Sequence, residues 1–177
     1  MKIIVTGCKG QLGTELLKQL QEGRSELGPI PEKLLNATVI PVDLPELDIS
    51  NYRMVDEFVR RNRPDIIINC AAYTNVDGCE VHHDDAFKAN ALGPRNLAQA
   101  AEKTGARLVH VSTDYVFSGR ENGGIPQDEA PCPGPSAPTA PPSSWAKSMW
   151  SGSATATSSC APRGCTATTA KTLSRPS

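Results

Sequence analysis

The sequence predicts an α/β fold in which a parallel sheet is covered by flanking helices, and three observations support this prediction. Short β-branched runs alternate with amphipathic helical stretches through the first 129 residues. The apolar residues of the longer stretches recur at helical spacing, so each stretch can pack one stripe against a sheet. Glycines follow the first β-branched run directly, where a turn must lead into the first helix.

The first part of this region contains two predicted strands and one predicted helix. Residues 2–6 (KIIVT) indicate a buried first strand, and residues 11–22 indicate the amphipathic helix that follows it. Residues 23–37 show neither periodicity and are predicted to form a loop. Residues 38–42 indicate a second strand, which completes a strand, helix and strand unit.

The second part continues the alternation. Ser50 is predicted to cap a helix that must end before Pro64, and residues 65–69 (DIIIN) indicate the third strand. An alanine-rich helical region is expected at residues 84–104, before a fourth strand at residues 107–112. Because crossovers between parallel strands are right-handed, these elements predict a Rossmann-like parallel sheet, which is incomplete because the pattern stops after four strands.

Composition and charge narrow the function classes. The formal net charge is -1 and the pI about 6.3, so no basic field points to a nucleic acid or an anionic membrane as partner. No stretch suits a membrane span or a signal segment. The six cysteines have scattered spacings without a CxxC pair, so neither a metal site nor a disulfide framework is expected. These features predict a cytoplasmic protein with a small neutral or anionic ligand.

The composition changes abruptly after Glu129. Residues 131–177 contain no Asp, Glu, Ile, Val, Phe or Tyr, and Leu173 is their only branched aliphatic residue. Such a segment cannot bury enough apolar surface to offset its conformational entropy. The sequence therefore predicts a truncated domain at residues 1–130 and a low-complexity, disordered tail at residues 131–177.

The tail has a second interpretation, which comes from the codons that could encode it. With the reading frame shifted by one base and synonymous bases chosen freely, the codons of residues 137–144 can be read as Ala-Tyr-Gly-(Ser/Thr)-(Ser/Thr)-Lys-Leu, which contains a YxxxK motif. In the same frame, the codons of residues 154–170 can be read as a segment containing Tyr-Phe-Ile-Leu, which is typical of a buried strand. Two such readings in one frame lead to the hypothesis of a frameshift near Pro133.

The glycines of the segment TGCKGQLG carry the first functional prediction. Gly7, Gly10 and Gly13 stand between the first strand and the first helix, where backbone amides and the helix N-terminus can hold a pyrophosphate. The alternative is a turn that needs glycine only for close packing of strand and helix. Asp43 ends the second strand, where a carboxylate can accept from a ribose hydroxyl and repel a 2′-phosphate, which favours NAD over NADP. An Asp at this position can equally be a solvated loop residue.

Several longer segments resemble one family. They are DLPELDIS from Asp43, RPDIIINCAAYTNVDGCE from Arg63, NALGPRNLAQAA from Asn90 and STDYVFSG from Ser112, together with TGCKGQLG near the start. In combination they make residues 1–130 similar to the dTDP-4-dehydrorhamnose reductases, which are extended short-chain reductases. The chain is too short for the two domains of such an enzyme.

The resemblance implies contacts to NADPH or NADH and to a dTDP-sugar. It implies that Gly10, Gln11 and Leu12 line the pyrophosphate. Asp48 and Ile49 are implied to flank the adenine end. Ala72, Tyr73 and Thr74 are implied to meet the cofactor after the third strand. Thr113 and Asp114 are implied to face the nicotinamide and the sugar. The resemblance also implies a role in L-rhamnose biosynthesis, a homodimer and a dependence on Mg²⁺.

The family chemistry reduces the 4-keto group of dTDP-4-dehydro-L-rhamnose. A tyrosine hydroxyl donates a proton to the developing alkoxide, a lysine four residues later lowers the pKa of that tyrosine, and a hydroxyl such as that of Thr113 hydrogen-bonds the carbonyl oxygen. The chain has Thr113 but no tyrosine after Tyr115, so the YxxxK motif is missing. We therefore expect the parent protein to be an enzyme and this chain to be an inactive fragment.

Two other functions remain open at this stage. One is a non-catalytic dinucleotide-binding protein of the same fold, such as the regulatory subunit of methionine adenosyltransferase. The other is an NAD-dependent nucleotide-sugar epimerase or dehydratase, which would share a restored YxxxK motif and differ in the domain that binds the sugar.

Overall fold

A mainly parallel sheet forms the centre of the fold. The computed structural model describes residues 1–112, 157–160 and 168–169. The strands in this part of the chain are β1 Lys2–Thr6, β2 Arg24–Ser25, β3 Gly28–Pro29, β4 Thr38–Val42, β5 Ile66–Asn69, β6 Arg107–Val111, β7 Thr157–Cys160 and β8 Thr168–Thr169. Six of them form one sheet in the order β4-β1-β5-β6-β7-β8, in which β8 alone runs antiparallel to its neighbour.

Helices connect the parallel strands. In the same part of the chain they are α1 Gln11–Glu22, α2 Glu32–Leu35, α3 Tyr52–Asn62, α4 Val76–Val81, α5 His83–Phe87 and α6 Gly93–Thr104, with a π-helical turn at Lys88–Leu92 between α5 and α6. The strands expected near residues 2–6, 38–42, 65–69 and 107–112 are confirmed, and so is the first helix. None of the described helices is both long and apolar enough to cross a membrane.

The apolar core lies between the sheet and the pair α3 and α6. Ile4 of β1 and Ile67 of β5 are fully buried, as are Val55 and Val59 of α3 and Leu97 of α6. Each buried side chain of this size stabilises the fold by about 1.5–3 kcal/mol relative to full exposure. Burial on both faces of the sheet explains the apolar run of β1, whereas in β5 Ile67 is buried and Ile66 and Ile68 are half-buried.

Two local predictions are wrong. Residues 23–37 contain the short antiparallel pair β2 and β3 and the helix α2, where the sequence predicts a loop. The pair closes through Gly28, whose φ of 128° favours glycine, and through a hydrogen bond from Ser25 Oγ to the Gly28 carbonyl oxygen. The cap of α3 is Asn51, one residue after the predicted Ser50, because the Ser50 hydroxyl donates to Asp48 Oδ1 at 2.7 Å instead.

Two short strands lie in the part of the tail that the structure describes. Thr157–Cys160 pairs in parallel with β6, and Thr168–Thr169 pairs with Thr157–Cys160 in turn. The backbone groups of Thr157–Cys160 pair with those at the edge of β6, which would otherwise lack hydrogen-bond partners. The sheet therefore continues beyond the four strands that the sequence predicts.

Candidate functional site

The candidate site lies at the carboxyl edge of the sheet, where the strand order reverses. The chain passes from β1 to β4 on one side of β1 and then to β5 on the other side. In open α/β sheets, ligands bind in the crevice outside the carboxyl ends of the strands at such a reversal. The turn between β1 and α1 therefore occupies the position where a bound dinucleotide is expected.

Two of the three glycines in this turn are required by packing. Gly7 has a φ of +67°, and an added Cβ would lie 2.5 Å from the backbone nitrogen of Ala71. A Cβ on Gly13 would lie 2.2 Å from the carbonyl oxygen of Gly7. Both clashes are with backbone atoms, which cannot rotate away. Packing thus accounts for the absence of a side chain at Gly7 and Gly13, and it is compatible with the contact between their backbone and a cofactor that the sequence predicts.

Gly10 has a different environment. It is exposed and is the N-cap residue of α1, with φ -74° and ψ 168°. A Cβ there would approach only the Gly7 carbonyl oxygen, at 3.3 Å. Close packing within the protein therefore explains Gly10 less well than the close approach of a ligand to its backbone.

The first turn of α1 presents backbone donors. No side chain caps this helix and its first turn holds no acidic residue, while the first intrahelical bond runs from Thr14 N to the Gly10 carbonyl oxygen at 2.9 Å. The N–H groups of Gln11 and Leu12 precede that bond, and both residues are exposed. With the helix dipole, which amounts to about half a positive charge at this end, they suit an anionic group.

Asp43 joins the turn to the end of β4. Its Oδ2 accepts from Lys9 N at 2.8 Å and its Oδ1 from Leu44 N at 2.9 Å, while Lys9 Nζ lies 3.4 Å from Glu46 Oε2. Each carboxylate oxygen keeps a further lone pair, so Asp43 can still accept from a ribose hydroxyl. The Lys9 ammonium lies in the same loop, where it pairs with Glu46 and donates to the Leu44 carbonyl oxygen.

The loop after β4 is held from within and from α6. Asp48 Oδ1 accepts from Ser50 N at 2.9 Å and from the Ser50 hydroxyl. The side chain of Ile49 is buried and packs against Gly93, where an added Cβ would lie 2.5 Å from Ile49 Cδ1. The side-chain amide of Asn96, itself buried, donates to the carbonyl oxygens of Ile49 and Ser50, at 2.9 Å in each case.

The loop after β5 is held in a comparable way. Asn90, in the π-helical turn, accepts from Tyr73 N at 2.7 Å and donates to the Tyr73 carbonyl oxygen at 2.9 Å. Ala72 and Thr74, the sequence neighbours of Tyr73, are exposed at the carboxyl edge of the sheet. The residues implied to meet the cofactor here thus stand on a backbone that a buried amide keeps in place.

A row of polar side chains crosses the sheet from the last residue of β1, through the last residue of β5, to the residue before the last in β6. Asn69 Oδ1 accepts from the Thr6 hydroxyl at 2.6 Å and from Ala71 N at 3.2 Å. Because two donors already face Oδ1, the Nδ2 group must face His110 Nδ1, which lies 2.9 Å away and accepts the bond. This arrangement places the ring proton of neutral His110 on Nε2. The His110 side chain is half-buried.

Two thiols flank the turn. Burial raises the pKa of Cys70 to about 11, and burial followed by the negative charge of Asp43 raises the pKa of Cys8. Neither thiol is therefore activated as a nucleophile at neutral pH. Among the residues that the structure describes, no group of three or more His, Cys, Asp or Glu side chains is placed to hold a metal ion.

The sequence reasoning missed the three asparagines Asn69, Asn90 and Asn96. A signal for each was present, since Asn69 ends an isoleucine run and the other two interrupt an alanine-rich helical region. A polar residue at an apolar position is usually buried with a hydrogen-bond partner. The predicted residues Thr113 and Asp114 lie outside the described residues, as do residues 137–144.

The order of strands and the glycine turn together define a Rossmann-like α/β domain with a site at its switch point. Comparison with known proteins then places it more closely. The chain belongs to the family described as the RmlD substrate binding domain, whose model matches residues 1–160.

Curated relatives and solved structures support this placement. The chain is similar to the dTDP-4-dehydrorhamnose reductase of Mycobacterium tuberculosis strain H37Rv, with 39% identity over 131 residues, which is 73% of this chain and 38% of that protein. A dTDP-4-dehydrorhamnose reductase from Clostridium acetobutylicum matches with a TM-score of 0.69 and 40% identity, over 84% of this chain and 48% of that one. The enzyme from Bacillus anthracis, solved in complex with NADP, matches with a TM-score of 0.61, 39% identity and the same coverages. The chain thus spans less than half the length of these relatives.

Proposed function

We propose that the chain binds NADPH or NADH and corresponds to the cofactor-binding part of a dTDP-4-dehydrorhamnose reductase. The observation that carries the proposal is the turn between β1 and α1, where Gly10 is exposed and the N-terminus of α1 lacks a cap. A pyrophosphate accepts hydrogen bonds from such a turn and gains from the helix dipole. The resemblance to a reductase solved with NADP supports the choice of ligand.

The proposed contacts follow the cofactor across the carboxyl edge of the sheet. The N–H groups of Gln11 and Leu12 hold the pyrophosphate at Gly10, while Asp43 accepts from the adenosine ribose. The proposed adenine contacts are Asp48 and Ile49, and those on the β5 side are Ala72, Tyr73 and Thr74. Because the side chain of Ile49 is buried, its contact with adenine would have to come from the main chain.

The proposed chemistry belongs to the parent enzyme. The reduced nicotinamide, when bound, supplies the hydride that reaches the 4-keto carbon of the sugar. Thr113 would donate a hydrogen bond to the carbonyl oxygen, and Asp114 would hold the sugar beside it. The proton for the alkoxide must come from a tyrosine of the YxxxK type, which this chain lacks. We therefore expect binding without turnover.

A shifted reading frame would explain the missing motif. We propose that residues 131–177 are its product, and one finding supports this. Strand β7 lies at Thr157–Cys160, and with synonymous bases chosen freely the codons of these residues can be read as Phe-Ile-Leu in the shifted frame. A strand beside β6 is normally apolar in a parallel sheet, as Phe-Ile-Leu is and as Thr-Ser-Ser is not.

The remaining proposals concern the parent enzyme. Its substrate would be a dTDP-sugar, its compartment the cytoplasm and its assembly a homodimer, with Mg²⁺ as a further requirement by family resemblance alone. A non-catalytic dinucleotide-binding role remains the alternative if the frame is real. An epimerase or dehydratase would be separated from a reductase by assaying the frame-restored protein for oxidation of NADPH with dTDP-4-dehydro-L-rhamnose.

Calorimetry with the purified chain tests cofactor binding. We expect NADPH and NADH to bind the wild-type chain, and Gly10→Val to weaken binding at least tenfold because its side chain would stand where the pyrophosphate approaches. Glu22→Ala, at the other end of α1 and exposed, is the matched control and should bind as the wild type does. Equal binding by Gly10→Val and the wild type would remove the proposed site.

Sequencing the coding DNA across codons 125 to 150 tests the frame. One inserted or deleted base that restores Ala-Tyr-Gly and the lysine would support a damaged copy of a full reductase. If no such base is found, the frame is real, the enzyme assignment is withdrawn for this chain and the binding role alone remains.

A further inference from the structure

Two buried asparagines in the helical region after β5 each hold the main chain of a different loop. Asn90 pairs with both the N–H and the carbonyl oxygen of Tyr73, which is 17 positions away in sequence. Asn96 donates both protons of its amide to the carbonyl oxygens of Ile49 and Ser50, which are 47 and 46 positions away. Only 9% and 5% of the surfaces of Asn90 and Asn96 are exposed.

Packing alone does not account for asparagine at these two positions. Asparagine has a lower helix propensity than alanine or leucine, and a buried amide is unfavourable unless its hydrogen bonds are made. The neighbours Ala91, Leu97 and Ala100 show that apolar residues are accommodated in the same region. The recorded bonds of both amides go to loop backbone far away in sequence, so the gain from asparagine lies in fixing those loops.

The two loops lie on opposite sides of the glycine turn. The loop with Ile49 and Ser50 follows β4, and the loop with Tyr73 follows β5, while β1 stands between these strands. A dinucleotide whose pyrophosphate rests on the turn after β1 places its adenosine half over β4, where Asp43 can take the ribose. Its nicotinamide half then extends over β5 and β6.

The asparagines can serve both loops because of their spacing. They are six positions apart, which on a regular α-helix places them about 120° apart around the helix axis. Asn90 lies in the π-helical turn Lys88–Leu92, a rare element that is frequent at functional sites, and Asn96 lies in α6 beyond it. One helical region thereby reaches two loops at the same edge of the sheet.

We propose that Asn96 is a positioning residue for the adenosine half of the cofactor site and Asn90 a positioning residue for the nicotinamide half, and that the two act independently. The proposal rests on the proposed cofactor binding for its ligand. The mechanical part of the proposal, namely that each asparagine fixes one loop, does not rest on cofactor binding, because loop fixation is measurable without any ligand.

Hydrogen exchange of the full chain without ligand tests the mechanical part. Asn96→Leu should raise the exchange rates of amides at residues 47–51 about tenfold and leave residues 71–75 unchanged, since a hydrogen bond of this kind contributes about one power of ten. Asn90→Leu should do the reverse. Far-UV circular dichroism confirms that each variant is folded.

The aspartate variants provide a second test, which keeps the proposal falsifiable if the leucine variants do not fold. Asn90→Asp keeps an acceptor for Tyr73 N–H and loses the bond to its carbonyl oxygen, so its effect on exchange should be smaller than that of Asn90→Leu. Asn96→Asp turns an acceptor toward two carbonyl oxygens, so its effect should be at least that of Asn96→Leu. The opposite order at either position, or loosening of both loops by one substitution, would overturn the proposal.

Ligand binding tests the functional part. Asn96→Leu should lower the affinity for ADP at least fivefold, measured by calorimetry. Asn90→Leu should leave ADP binding unchanged and reduce the enhancement of nicotinamide fluorescence at saturating NADPH. If the wild type binds neither ligand while the hydrogen-exchange rates change as expected, the proposed cofactor binding is wrong and the asparagines only fix the two loops. If the wild type binds and the two variants affect both ligands alike, the division of roles is wrong.

Discussion

Replacing Gly7 by alanine combines two unfavourable effects that a second glycine of the same conformation can separate. Gly7 has a φ of +67° and Gly105 a φ of +73°, so alanine at either position must adopt the left-handed region. A Cβ on Gly105 would meet nothing within 4 Å, whereas one on Gly7 would lie 2.5 Å from Ala71 N and 2.6 Å from Ala71 Cα. Gly105→Ala is therefore the matched control for backbone strain without a clash.

The expected magnitudes follow from these distances. The left-handed conformation costs alanine about 1–2 kcal/mol, of which about 0.4–1 kcal/mol is offset by the lower entropy of the unfolded chain. Gly105→Ala should thus lower the free energy of unfolding by about 1 kcal/mol. Gly7→Ala should lower it by about 3 kcal/mol, because overpacking against backbone atoms adds roughly 1–3 kcal/mol.

Urea unfolding followed by far-UV circular dichroism measures both variants. The slope of free energy against urea should remain constant, so that the shift in midpoint reports stability. The folded Gly7→Ala protein should also lose affinity for NADPH, since the turn between β1 and α1 must move away from β5. A loss of stability within about 0.5 kcal/mol of that of Gly105→Ala would refute the reasoning, because the clash would then contribute nothing.

Three further predictions concern other parts of the domain. Arg63→Gly should raise the free energy of unfolding by about 1 kcal/mol in urea unfolding, since Arg63 ends α3 at a φ of 45°; an unchanged or lower value would contradict this. Because the pKa of Cys70 is about 11, its alkylation by iodoacetamide at pH 8 should be about a hundredfold slower than that of a thiol whose pKa is 9.0. Rapid labelling would show that the Cys70 thiol is not buried. Burial tends to raise the pKa of Asp56, but the hydrogen bond from Lys103 and nearby positive charge outweigh it and lower the pKa below 3.8. The ionised Asp56 carboxylate therefore stabilises the fold above pH 3.8, and this stabilisation is lost as the pH falls through the lower pKa of the folded state. The difference in Tm between the wild type and Asp56→Asn should thus shrink below about pH 4. A difference that does not change with pH would mean that the charge of Asp56 is not responsible.

Much of the fold was predictable because its signals are local. The runs KIIVT and DIIIN indicate strands from adjacent residues alone, and the apolar spacing in residues 11–22 indicates α1 in the same way. The cap of α3 shows the limit of this reasoning. Ser50 and Asn51 are both good caps, and the choice depended on the bond that Ser50 makes with Asp48.

The short pair β2 and β3 was missed for a related reason. Each strand has two residues, so no period can be read from it, and the turn at Gly28 is decided by one backbone conformation. The strand β7 was missed because its side chains are polar and its pairing depends on the free edge of β6. In both cases the structure depends on backbone partners that composition does not reveal.

The sequence by itself determined the parallel sheet, the position of the glycine turn and the absence of the YxxxK motif, because these follow from the order and periodicity of residues along the chain. Only the tertiary structure decided that Gly7 and Gly13 serve packing while Gly10 stays open, and that Asn90 and Asn96 hold two separate loops. The physical reason is distance. Whether a Cβ clashes or an amide finds its partner depends on atoms about 3 Å away that belong to segments far apart in sequence.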